Sequence, residues 1–153
     1  MDMPKPTPGH EKLKKLEGTW VGEETMHPCE WHPGGGVAFG RTTNRVELSG
    51  FAVIGDYEQS KNGVTTFTGH CVYTYDPERD LYTMHWFDCV GSPPEVFTGG
   101  FDGDVLTLAH GGPGPHARMT YDHSDPQFMV GKMEMSSDGN EWKTVFEARY
   151  TRA

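Results

Sequence analysis

One short run, Met26-His27-Pro28-Cys29-Glu30-Trp31-His32, carries two imidazoles and a thiol, side-chain types that ligate zinc or copper. The spacing matches no established metal motif, and a structural zinc site needs a fourth ligand with outer support, so ordinary loop residues are the favoured reading. Gly-x-Ser-x-Gly, His-Glu-x-x-His and a phosphate-cradling loop are all missing, which leaves hydrolase, zincin and nucleotide chemistries without sequence support. Gly34-Gly35-Gly36 leads into a strand-like segment and so lacks the helix N-terminus that phosphate loops use. Of the remaining histidines, His70 and His85 fall on an outward strand face, and His10, His110, His116 and His123 stand near turns or ends, where solvation is expected.

More chemistry emerges from the elements that must position the side chains. Thr7 can cap a short helix with Pro8 at its first position, Glu11 in the first turn and Lys14 and Lys15 in the last; Gly18 stops it. Leu13 and Leu16 share one face, so this helix is expected to lie across a barrel end. Strand-like segments follow at 20–26, 37–48, 51–59, 64–75, 95–101, 105–110 and 117–123, separated by Gly- and Pro-rich breaks, among them 27–36, Asn62-Gly63 and 111–115.

The turn Asp76-Pro77-Glu78-Arg79-Asp80 pairs Tyr75 with Tyr82, Tyr73 with Met84 and Cys71 with Trp86 on one face, and puts Thr74, Val72 and His70 opposite Thr83, His85 and Phe87 on the other. A final hairpin, turning at Ser137-Asp138-Gly139-Asn140, is expected to set Met135 against Trp142, Met133 against Thr144 and Gly131 against Phe146, with Met129, Ala148 and Tyr150 continuing the apolar face. Its other face would pair Glu134 with Lys143, Val130 with Glu147 and Phe128 with Arg149.

These phases gather Tyr73, Met84, Trp86, Met129, Met133, Met135 and Phe146 into an inward methionine and aromatic lining suited to an irregular apolar ligand, with a simply packed core as the alternative. Glu24 and Asp88, in phase with Trp20 and Trp86, are the polar groups placed to orient a ligand there. About ten strands exceed an ordinary open sheet, so closure into a barrel is expected, and such a barrel is wider than side chains fill comfortably.

The 153 residues fit one domain, 1–153, with residues 1–6 expected to be flexible. Twenty Gly and eleven Pro punctuate an all-β chain, and a net charge of −9 without a basic stripe makes nucleic acid an unfavoured partner. Three widely spaced cysteines, Cys29, Cys71 and Cys89, speak against a secreted disulfide framework, and no apolar run approaches membrane-spanning length. A cytoplasmic protein that is not membrane-bound is expected.

Pro6-Thr7-Pro8-Gly9-His10, Leu16-Glu17-Gly18-Thr19-Trp20, Gly69, Tyr75-Asp76-Pro77, Trp86-Phe87-Asp88, Asp138-Gly139, Trp142, and Tyr150 with Arg152 run nearly end to end in an order that resembles the bacterial domain-of-unknown-function 1579 family of small lipocalin-like barrels. The resemblance implies a single antiparallel, lipocalin-like β-barrel with a short N-terminal helix closing one end. It also implies that Trp20 plugs the closed end beneath Arg152, a structural role favoured over ligand contact.

The related nitrobindins are ten-stranded barrels that hold haem through a histidine on the last strand and handle nitrogen oxides. Residues 141–152 contain no histidine. The leading expectation is thus a binding protein, not an enzyme, that takes a small hydrophobic molecule among Trp20, Glu24, Tyr73, Met84, Trp86, Asp88, Met129, Met133 and Phe146. A haem- or metal-assisted enzyme acting on small oxidants is the first alternative, its cofactor unknown. A filled structural module is the second, with homodimerisation through outward Phe39, Phe87 or Phe128.

Overall fold

A computed structural model of the chain describes residues 1–30, 32–111 and 115–153. Trp31, within the expected 27–36 loop, and Gly112, Pro113 and Gly114, within the 111–115 break, lie outside the described residues. Ten antiparallel strands form a closed up-and-down barrel: β1 Gly18–Met26, β2 Gly36–Glu47, β3 Ala52–Lys61, β4 Val64–Asp76, β5 Leu81–Asp88, β6 Glu95–Asp102, β7 Val105–His110, β8 His116–Asp122, β9 Phe128–Ser136 and β10 Lys143–Arg152. Each strand pairs with the next, and β1 closes on β10 with Trp20 opposite Arg152 and Glu24 opposite Ala148. Asn62 and Gly63, both at positive φ, make the β3–β4 turn.

A helical segment closes one end of the barrel. Helix α1 spans Pro8–Lys12 and continues as a tighter 3₁₀ turn over Leu13–Leu16. Its cap is unusual in using His10, whose Nδ1 accepts the Thr7 backbone N–H at 3.0 Å. Leu13 and Leu16 are buried against Val53, Tyr73, Tyr82, Met84, Leu106 and Leu108. Polar side chains of the wall also hold the plug, since the Leu16 carbonyl accepts both Trp20 Nε1 at 3.1 Å and Asn44 Nδ2 at 2.9 Å, and Tyr82 donates to the Gly9 carbonyl at 2.6 Å.

The β4–β5 hairpin has the register expected of it, with Tyr75 opposite Tyr82, Tyr73 opposite Met84 and Cys71 opposite Trp86. The β9–β10 hairpin does not. Lys143 faces Met135 and Thr144 faces Glu134, and beyond a register shift at Val145 Phe146 faces Met133 and Ala148 faces Gly131. The cause is an extra residue: a bulge at Val145 turns the strand by one position, so alternation on its two sides does not share a phase. Trp142 consequently sits outside under the Arg118 guanidinium, 4.1 Å from its ring centroid, and Glu134 pairs with Arg118 at 3.1 Å. Val130 and Phe128 stand opposite Arg149 and Thr151, although Arg149 still covers the Phe128 ring at 3.9 Å.

Two histidines expected in solvent are buried. His10 packs edge-on between Phe51 and Tyr75, and His123, one residue beyond β8, packs against Trp20 with ring centroids 5.7 Å apart. Both belong to the plug, where the helical segment covers chain ends that a strand pattern alone reads as exposed. No helix among the described residues is long and apolar enough to cross a membrane.

Candidate functional site

Strand pairing carries the inward phase around the whole wall, and it divides the proposed lining into two levels. Trp20, Tyr73, Met84 and Met129 lie at or near the plugged end and are at most 5% exposed. Trp20 is sealed there by Arg152, whose Cζ stands 4.2 Å from the ring centroid while Nη1 donates to the Glu17 carbonyl at 3.1 Å and Nε to the Pro126 carbonyl at 3.0 Å. These residues form a floor.

Towards the opposite end the inward phase brings Met26, Tyr57, Phe67, Trp86, Met133 and Phe146 around the lumen. All six keep part of their surface accessible although they point into the barrel. Three of the rings form a cluster from adjacent strands: Tyr57 lies 6.1 Å from Phe67 and 6.1 Å from Trp86, and Phe67 lies 6.4 Å from Trp86 and nearly parallel to it. Trp86 needs Gly69 beneath it, because a Cβ at that position would collide with the indole. Its Nε1 donates to Asp88 at 3.0 Å, which puts Asp88 at the open end.

Between the two levels lies Glu24, fully buried on β1. The Tyr57 hydroxyl lies 2.7 and 2.9 Å from its two oxygens and shares its one proton between them, Gln59 Nε2 donates at 3.1 Å and Tyr150 at 2.5 Å. Gln59 Nε2 also reaches the Tyr57 hydroxyl at 3.2 Å, tying the network together. Three neutral neighbours therefore surround the carboxyl group, and both of its oxygens have hydrogen-bond partners. Burial, followed by the neighbouring Glu24 charge, pushes the Tyr57 and Tyr150 phenols well above their ordinary value, so both remain donors. Gly40 makes room across the strand pair, since a Cβ there would overlap the carboxylate. Glu24 makes no ion pair among the described residues.

Tyr57, Gln59 and Phe67 were not among the expected site residues, yet a period of two counted from Val53 along β3 and back from Cys71 along β4 reaches all three. Cys71 itself is a core thiol pushed up by burial to about 11, which suits packing rather than reactivity.

The loop residues His27, Cys29 and His32 do not converge. His27 Nε2 meets Glu147 at 3.2 Å, while Cys29 and His32 bridge through their backbones. Among the described residues no group of three His, Cys, Asp or Glu side chains gathers around a common point. For haem, the last strand presents Phe146, Ala148 and Tyr150 inward, and the Tyr150 hydroxyl is committed to Glu24. That donor set does not fit the histidine ligation the nitrobindin resemblance requires. Two solvent-open depressions, one around Asp122, Asp125, Phe128 and Arg149 and one around Glu23, Phe39, Lys61 and Asn62, lie on the outer wall and are separate from the lumen.

A closed ten-stranded antiparallel barrel, plugged at one end by a helical segment, defines a small β-barrel protein. The model for the family of proteins of unknown function DUF1579 matches residues 5–152, and the chain belongs to that family. Its fold is also that of Rv2717c from M. tuberculosis, whose crystal structure matches with a TM-score of 0.68 and 13% identity, covering 96% of this chain and 98% of that one. No curated protein sequence matches this chain.

Proposed function

We propose that this protein binds a small, largely hydrophobic molecule in the half of the barrel away from the helical plug. One observation carries the reading: Met26, Tyr57, Phe67, Trp86, Met133 and Phe146 point inward yet remain partly accessible, whereas Leu13, Leu16, Trp20, Tyr73, Met84 and Met129 towards the plugged end are at most 5% exposed. An aromatic and thioether lining with a few convergent polar groups is the composition of small-molecule sites. Trp86, Met133 and Phe146 would contact the ligand's apolar body, and Glu24 and Asp88 would orient it. Trp20, Tyr73, Met84 and Met129 would support the site from below. No bond-breaking chemistry is assigned. A reducing, cytoplasmic setting fits, since Cys29, Cys71 and Cys89 are all free thiols.

Native mass spectrometry of protein purified without added ligand tests this. A retained small molecule, released on denaturation and reduced in Trp86→Leu or Met133→Ala, is the expected result. Equal uptake by those variants, with the fold intact, would remove the lumen as the site.

A further inference from the structure

We infer that the upper lumen selects small organic cations, an amine or quaternary ammonium carried on an apolar body, over neutral or anionic molecules of the same shape. The inference rests on the binding reading above and names the ligand class for that same site.

A fully buried carboxylate is the first ground. Removing a charge from water is costly unless it is paired, and proteins ordinarily pair such a group with a lysine, an arginine or a metal. Glu24 is given only neutral donors, two phenols and an amide. These stabilise the negative charge in place without cancelling it, so the surrounding space retains a negative potential. A positive group entering the lumen would recover the Coulomb energy that the fold leaves unused, and in a low-dielectric interior that energy is larger than in water.

The three rings supply the second ground, independent of the first. Tyr57, Phe67 and Trp86 lie within 6.4 Å of one another, centroid to centroid, and aromatic faces attract ammonium groups most strongly where water is excluded. Tyr57 joins both features: its ring belongs to the triad, and its hydroxyl holds Glu24. The thioethers of Met26 and Met133 would pack against the apolar remainder of the ligand. The inward register near the open end also includes Asp88 and Glu95, opposite Gly69 and Trp86, and Lys143, opposite Met135, while the ammonium of Lys61 lies near Gly36, so the rim charges balance and the selectivity rests on Glu24 and the rings below them.

Three probes of one shape and different charge test the inference on the intact chain: benzyltrimethylammonium, its neutral carbon isostere neopentylbenzene, and phenylmethanesulfonate, each titrated by ligand-observed NMR. The cation should bind about tenfold more tightly than the neutral isostere, and the sulfonate should bind most weakly. Glu24→Gln should bring cation and neutral affinities to within about threefold of each other. Trp86→Leu, which leaves every Glu24 hydrogen bond in place, should lower cation affinity more than neutral affinity and keeps the test available if Glu24→Gln folds poorly. Equal binding of cation and neutral isostere, or preference for the sulfonate, would overturn the cation selectivity while leaving a hydrophobic binding site standing. Binding of none of the three would overturn both.

Discussion

The two ends of this barrel are made by the same ten strands and are filled differently. At the plugged end Leu13, Leu16, Trp20, Met84, Leu106 and Leu108 are no more than 2% exposed, and the Leu16 carbonyl is doubly hydrogen-bonded by the wall. At the open end inward-facing Phe67, Trp86, Met133 and Phe146 keep accessible surface, and the polar side chains Tyr57 and Gln59 reach down to a buried acid. A ten-stranded wall encloses more volume than its own side chains occupy. The helical segment packs Leu13 and Leu16 into one end. The tightest packing therefore lies below Glu24, and the recognition proposed here falls to the residues above it.

Substitutions that enlarge the packed end should cost the most. Trp20→Ala removes a completely buried indole together with its bond to Leu16 and its contact with Arg152, and should lower unfolding free energy by about 3–5 kcal/mol in urea titrations. Loss of only about 1 kcal/mol would mean that the plug is not a structural keystone and that the two ends are energetically alike.

A matched pair of methionines tests the contrast more finely. Met84, 2% exposed, faces Phe97 and Tyr73 across its neighbouring strands, whereas Met133 is only half-buried opposite Phe146. Met84→Ala should cost about 2–4 kcal/mol and Met133→Ala less than about 1.5, with the effect on ligand uptake reversed. Equal costs would erase the distinction between floor and lumen.

The plugged end should also be the pH-sensitive one. Burial holds the His123 imidazole down at about 4 against an ordinary 6.5; Asp122 and Asp104 pull it up, and Arg152 and Lys15 push it further down. Its Nε2 is buried without a hydrogen-bond partner. Above pH 6.5 the ring is neutral in both folded and unfolded chains and costs nothing. Between 6.5 and 4 the unfolded chain takes up a proton that the folded chain refuses, so stability falls as pH falls. At about 1.4 kcal/mol per pH unit, from 6.5 down to about 4, the loss is at most about 3.5 kcal/mol. Denaturation midpoints measured from pH 7 to pH 5 should decline in the native chain and flatten in His123→Phe; an unchanged slope would place the sensitivity elsewhere.

What the sequence made legible depended on whether one alternating phase persisted through an element. Along β4 and β5 it did: the Asp76–Asp80 turn set the register, and Cys71, Tyr73, Met84 and Trp86 all face inward. The same rule reached Glu24 from Trp20. It also extends to Tyr57, Gln59 and Phe67, whose importance shows only once three strands bring them together, because the donors to a buried acid are distant in sequence. His10 and His123 were hidden for a different reason: the covering element is a short helical segment whose docking site has no periodic signature. Whether Met84 or Met133 borders open space depends on how far that plug penetrates, which is a property of packing and not of pattern.

The bulge at Val145 is a place where alternation and structure separate, and Trp142 measures it. Straight alternation from Tyr150 puts Trp142 in the lumen, where truncation to Ala would remove a large apolar surface at a cost of about 3–5 kcal/mol and alter ligand binding. The extra residue instead turns Trp142 to the outer wall, where its ring stacks under Arg118 and Arg118 is held by Glu134 at 3.1 Å. A cation–π contact at such a site is worth about 0.5–1 kcal/mol. Trp142→Ala should therefore lower stability by no more than about 1 kcal/mol, shift the Arg118 side-chain resonances and leave uptake by the upper lumen unchanged. A large loss of stability together with weakened uptake would return Trp142 to the interior and extend the packed floor into the half of the barrel proposed to bind ligand.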